Sequence, residues 1–292
     1  MSTTTRRSPT VVAAVDSSAQ STEALRWAAR EAVARDVGLL VVSVARVPVP
    51  AAGTGLGTDG PFEELKSRSR AIVTAAMTTA REVAPGVRVE GLLAVGTPSN
   101  VLHQLSEEND LLVCGSRGHG ALTGLVLGSV STSVAAHARC PVVVVRPARS
   151  GSSEDAVTAF TVATHDRVVV GVDGSEAATR AVMFAAAHAR RIGRGLTLLH
   201  ARGDQARPGA RAVPAEGVLT PVATMLRSAG LGLDVDTLEV EGPAAASMVE
   251  ASHQAALVVV GTRGRGPFVS RLLGSVSLTL LSSATGPVAV VH

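Results

Sequence analysis

Aromatic side chains are scarce in this chain: it has no tyrosine, one tryptophan and four phenylalanines in 292 residues, 2% in all. Its cores must therefore be built from Val, Leu and Ala, although hydrophobic residues still make up 46% of the sequence. That composition suits parallel sheets buried on both faces, whose strands read as continuous aliphatic runs. The same scarcity removes the stacking platform expected of a single-stranded nucleic-acid binder. Lysine is rarer still, with Lys66 the only one. The other basic residues are arginines scattered along a chain of net charge +3, so no basic stripe marks a nucleic-acid surface. A Walker A loop, which needs Gly-Lys-Ser/Thr, is excluded because the lone lysine lies far from any glycine loop. Two cysteines, Cys114 and Cys140, make no disulfide framework, and no His/Cys cluster has metal-ligand spacing. They read as small buried hydrophobes.

Membrane and export signals are missing as well. Met1 to Pro9 carries charge and hydroxyls but no apolar stretch of the secretory kind. Leu272 to Val291 is uncharged over a span long enough for a membrane helix, yet Gly274, Gly286 and Pro287 break it. Helix followed by strand accounts for it better. The expectation is a cytoplasmic protein with neither membrane nor nucleic acid as partner.

What is present is a doubled loop. Gly115 to Ser129 reads G-S-R-G-H-G-A-L-T-G-L-V-L-G-S, and Gly261 to Ser275 reads G-T-R-G-R-G-P-F-V-S-R-L-L-G-S. In both, an aliphatic run ends at the first glycine, a second glycine comes three residues later, and Gly-Ser opens a plausible helix (Val130 to Ala138, Val276 to Ala284). A buried strand, a glycine turn and a helix N-terminus together can hold phosphate, through freed backbone N–H groups and the helix dipole. A single such loop is more often a tight turn. Two copies with one internal spacing favour a nucleotide or phosphate site.

The rest of the chain repeats around these loops. Pro9 to Asp16 is a Val-rich strand ending in an acid, and Leu25, Ala28, Ala29 and Ala32 mark one face of the helix that follows. Gly38 ends that helix. Leu39–Val47, Val87–Val95, Leu111–Gly115 and Pro141–Val145 read as further strands. Between them lie helices at Phe62–Val83, Pro98–Glu108 and Val130–Ala138, and a Gly/Pro-rich loop at Pro48–Pro61. Alternation of this kind means a doubly wound parallel sheet. Arg167 restarts the pattern, with Asp173 lying 157 positions after Asp16, while Gly261 lies only 146 after Gly115. The second copy is thus 11 residues shorter between its second and third strands. The fold expected is α/β: two tandem doubly wound, five-stranded, parallel-sheet, Rossmann-like domains. They span residues 8–147 and 165–292, with 148–164 as linker.

In such sheets ligands sit at the carboxyl ends of the strands, where strand order reverses. Asp16 and Gly115, and likewise Asp173 and Gly261, would then face one crevice. Each acid can accept hydrogen bonds from an adenine amino group or ribose hydroxyls, or serve as a helix cap. Ser129 and Ser275 can donate to phosphate or reach a phosphate-bound metal, or be N-caps, and both roles can hold together. Arg117 and Arg263 can screen phosphate charge or be solvated loop residues. His119 has Arg265 as its counterpart, so a base common to both sites is not expected there. The dinucleotide fingerprint is missing after the first strand, and no nucleophile elbow occurs.

The two loops, the early V-D-x-S, and the late strands C-P-V-V-V-V and G-P-V-A-V-V resemble the universal stress protein family. The resemblance is to its tandem, two-domain, ATP-binding class, whose fold is similar to the adenine nucleotide alpha hydrolases. It implies a sheet order of 3-2-1-4-5 and one ATP per domain, any Mg2+ being carried by the nucleotide. It also implies adenosine contacts at Asp16 and Asp173 and an adenine pocket along Val44 and Ala201. Ribose and phosphates would be held by Gly115, Gly118, Gly128, Ser129 and Val130, and by Gly261, Gly264, Gly274, Ser275 and Val276. The final strands would pair the two halves as an intramolecular pseudo-dimer, or pair two chains as a homodimer. In this class ATP is a regulatory ligand in the stress response; the alternative is a slow ATPase or nucleotidyl-transfer enzyme. No base, arginine finger or acid cluster repeats in both copies, so no catalytic residue is assigned. Asp-Ser-Ser stands in copy one where the family has Asp-Gly-Ser, a change that could tighten the turn.

Overall fold

The computed structural model describes residues 10–46, 59–118, 127–146, 163–203, 215–264 and 273–292. The expected linker falls almost wholly outside these residues, as do most of the Pro48–Pro61 loop, His119 and Arg265.

In the first unit β1 (Thr10–Ala14) runs through Val11, Val12 and Ala13, all without solvent exposure. Ser18 then caps α1 (Ala19–Arg35), its hydroxyl accepting from the Ser21 N–H. That helix ends earlier than expected. Asp36, not Gly38, takes the left-handed conformation at φ 55° and returns its N–H to Ala32 and Val33. Gly38 instead opens β2 (Gly38–Ala45). The short Asp side chain tolerates the left-handed region well enough to replace the usual glycine stop.

There follow α2 (Asp59–Val83), β3 (Val89–Val95), α3 (Pro98–Glu108), β4 (Leu111–Gly115), α4 (Ser129–His137) and β5 (Val142–Val145). The strands lie in the order β3-β2-β1-β4-β5, every neighbouring pair parallel. Order reverses between β1 and β4, which run side by side with Val11 opposite Leu111 and Ala13 opposite Val113. Leu111, Leu112 and Val113 are fully buried, and each side chain so buried contributes about 1.5–3 kcal/mol.

In the second unit the elements are β6 (Val168–Gly171), α5 (Glu176–Ile192), β7 (Leu196–Ala201), α6 (Ala215–Ser228), β8 (Val235–Val240), α7 (Ala244–Ala251), β9 (Leu257–Gly261), α8 (Ser275–Ser283) and β10 (Val288–Val291). Its own order, β8-β7-β6-β9-β10, is the same 3-2-1-4-5 and again all parallel. The described part of the uncharged stretch, 273–291, contains α8 and β10, and among the described residues no helix is long and apolar enough to cross a membrane.

The length difference between the copies sits where the second helix begins. Leu39 faces Val89 across β2–β3, as Leu196 faces Val235 across β7–β8. Counting back 146 positions pairs Val73 with Leu219 and Ala80 with Leu226, all buried. The helices therefore share their C-terminal halves, but α2 has 25 residues and α6 has 14.

Candidate functional site

The turn after β1 is held by its acid. Asp16 Oδ1 accepts from the Ser18 N–H at 3.1 Å and from the Ser18 hydroxyl at 2.6 Å, and the same Ser18 caps α1. In the second unit Asp173 Oδ1 accepts from the Ser175 N–H at 2.9 Å, and Ser175 caps α5 through the Ala178 N–H. The two readings of the acid thus divide between its oxygens. One oxygen folds the strand-to-helix turn; the other, Oδ2, points at the glycine loop. A methyl group built on Gly118 would collide with Asp16 Oδ2, and one on Gly264 with Asp173 Oδ2. Acid and loop meet across one crevice in both units.

Each loop is then closed onto a helix start. The Gly128 N–H donates to the Ser116 carbonyl at 2.8 Å, and the Gly274 N–H to the Thr262 carbonyl at 2.8 Å. Ser131 reaches back to the Ser116 carbonyl and Ser277 to the Gly261 carbonyl, at 3.2 and 2.8 Å. Ser129 and Ser275 are not the N-caps. Those are Gly128 and Gly274, in extended conformation and with no side-chain hydrogen bond at the cap, and the serines are the first helical residues, exposed. A glycine cap leaves the first-turn N–H groups without the side-chain acceptor that α1 and α5 receive from Ser18 and Ser175. Donors and helix dipole there suit a phosphate.

The first glycine of each loop has a different task. A Cβ on Gly115 would lie 2.8–2.9 Å from backbone atoms of Gln20 and Ser21, and one on Gly261 equally close to Ala177. These glycines let β4 and β9 pass against the starts of α1 and α5.

In the first unit the crevice opens into a cavity of about 590 Å3, within the size range of small-molecule sites. Asp16, Val44, Gly115, Gly118, Gly128, Ser129 and Val130 all line it. So do residues that sequence reasoning missed: Arg46, the residue after β2, Leu65, Arg68, Ser69 and Ile72 on α2, and Pro98 and Leu102 on α3. The spacing 65, 68, 69, 72 is one helix face, a signal hidden by its mixed polarity. Cys114 is also in the wall; burial pushes its thiol up to about 12, so it stays protonated.

In the second unit His200 occupies the place of Ser43, one residue before Ala201 at the end of β7. It is buried, and its Nδ1 lies 2.7 Å from the Val172 carbonyl. A carbonyl only accepts, so Nδ1 carries the hydrogen.

The sequence pattern of one family, described as "Universal stress protein family", matches residues 8–146 and again 164–292. Universal stress protein Rv2005c of Mycobacterium tuberculosis is 35% identical over 304 residues, covering 98% of this chain and 97% of its own. Rv2623 of the same organism, another universal stress protein, is 32% identical over 96% and 95%. A crystal structure of a universal stress protein from Archaeoglobus fulgidus shares the fold, with TM-score 0.69 and 21% identity over 97% of this chain and 96% of that one.

Proposed function

The chain belongs to the universal stress protein family, and we propose that it acts there as a nucleotide-binding regulatory protein that takes one ATP in each domain. The observation that carries this reading is the pairing of acid and glycine loop, Asp16 with Gly118 and Asp173 with Gly264, made twice by the same turn and loop. An acceptor oxygen beside a donor-rich helix start separates the two needs of a nucleotide, hydroxyls or an amino group at one end and phosphate at the other. The first-unit cavity adds an apolar wall, Val44, Leu65, Ile72 and Leu102, for the base. Any Mg2+ would be held by the bound phosphates, with the Ser129 and Ser275 hydroxyls nearest in sequence to the helix starts.

Regulation rather than turnover fits the acids. Asp16 and Asp173 each have one oxygen committed to the turn of their own helix, a static use for a carboxylate. Calorimetric titration with ATP is expected to show two sites per chain and a preference over GTP. Turnover by the same preparation is expected far below the ~1–10³ s⁻¹ usual for enzymes. Absence of binding, or equal affinity for GTP, would overturn the adenine-nucleotide reading; turnover in that range, lost on changing a loop glycine, would make the protein an enzyme.

A further inference from the structure

The first-unit cavity has two ends of different chemistry. At one end are Gly118 and the start of α4, after β4; at the other, Val44 on β2 with Leu65 and Ile72 on α2; Asp16, after β1, comes between them. β1 lies between β2 and β4, which sets the ends about 10 Å apart, two strand spacings. A purine at the apolar end would ordinarily be covered by an aromatic ring. Among the described residues, none that lines the cavity is aromatic.

What that end offers instead is two guanidinium groups. Arg46 follows Val44 by two residues, so it lies on the same side of the strand end. Arg68 lies between Leu65 and Ile72, three residues after one and four before the other, on the same face of α2. Both are exposed, and among the described residues neither is paired with a carboxylate, unlike Arg35 with Glu31 or Arg88 with Asp36. A guanidinium is planar and weakly hydrated, and it stacks on aromatic faces.

We infer that Arg46 and Arg68 are base-binding residues that close the base end of the first site by stacking their guanidinium planes on the adenine, in place of an aromatic ring, which the described lining does not supply. This rests on the adenine-nucleotide reading of the site. Among the described residues the second domain does not repeat the device. Arg46 corresponds to Gly203, at φ 74°, and the position of Arg68 falls on Pro214 in the sequence. The preceding Arg202 is already held by Glu239. The two sites are therefore unequal, the first gripping the base more tightly.

The test is calorimetric titration of the full chain with adenosine, AMP and ATP, for the wild type and two double variants. Arg46→Lys with Arg68→Lys keeps both charges and loses both planes; Arg46→Gln with Arg68→Gln loses both. Because the side chains are exposed, the fold should be unaffected, as circular dichroism would verify. The tighter class of site is expected to weaken about 3- to 30-fold in both variants, by a similar factor for adenosine and for ATP. The weaker class should not move. A loss that grows with the number of phosphates and is absent in the lysine pair would make these arginines phosphate readers and overturn the stacking role. Unchanged affinity in the glutamine pair would overturn it too. Wild-type protein that takes no adenine nucleotide would fail the functional reading itself, and the inference with it.

Discussion

Ser17 holds a backbone conformation its side chain disfavours: φ is 68°, and the matching residue in the second turn is Gly174 at φ 78°. The turn demands the left-handed region because Asp16 Oδ1 must reach the N–H two residues on. An L side chain there costs about 1–2 kcal/mol, partly offset because glycine is freer when unfolded. Ser17→Gly should therefore stabilise the first domain by about 0.5–1 kcal/mol, read as a rise in its urea midpoint with unchanged slope. An unchanged or lower midpoint would mean that the serine side chain compensates locally. Cys114 shows the reverse economy, a titratable group kept neutral by burial, with Val260 as its counterpart. Its folded value, pushed up to about 12, stands above the usual thiol range near 8.5, so between them the unfolded chain has lost a proton the folded chain keeps. Its contribution is whole below about pH 8.5 and fades as pH rises toward 12. Cys114→Val should flatten the fall in stability over that window, measured by denaturation at successive pH values; an identical slope would show that Cys114 is not responsible.

Elements record how the two copies diverged while keeping one architecture. In the first domain Gly91 on β3 leaves room for α2: a Cβ there would lie 2.5 Å from Val73 and 2.6 Å from Met77. At the corresponding places the second domain has Thr237 on β8 and Ala223 and Leu219 on α6. Bulk has moved from the helix to the strand. Gly91→Thr alone should then overpack the first domain and destabilise it by about 1–3 kcal/mol, and adding Met77→Ala should recover most of that. A double-mutant cycle that proved additive would mean the helix shifts freely instead. Such exchanges are invisible to periodicity, since either partner alone suits its element. Element type, by contrast, was readable: strand Leu111–Gly115 and helix Pro98–Glu108 have the bounds the pattern implied, because an aliphatic run and a proline start leave little choice. The helix stop at Asp36 was not readable, because glycine is the usual stop and Gly38 stood two residues away. The site was half readable. Asp16, Val44 and the loop glycines sit on its wall, but Arg46 and the α2 face do not announce themselves in a sequence where arginine is scattered.

At the scale of the whole chain the duplication becomes a question of independence. Each cradle is made of residues of its own unit: Asp16 with Gly118 and Gly128 in one, Asp173 with Gly264 and Gly274 in the other. Among the described residues each cradle is built within its own unit, so each loop can be blocked separately. A side chain at Gly118 must displace the Asp16 carboxylate or bend the loop, and either outcome removes the juxtaposition that makes the site. The same holds for Gly264 and Asp173. Both glycines are exposed and the colliding atom is a side-chain oxygen, so the fold should absorb the change. Gly118→Val is expected to remove one ATP per chain, Gly264→Val the other, and the double variant both. The stoichiometry read by calorimetry would step from two to one to zero while the circular dichroism stays the same. If Arg46 and Arg68 strengthen the first site, Gly118→Val removes the tighter class and Gly264→Val the weaker, which gives each isotherm its own signature. A single change that empties both sites in a folded chain would mean that the domains are coupled. Single changes that leave two sites would mean that the phosphate lies elsewhere than on these loops.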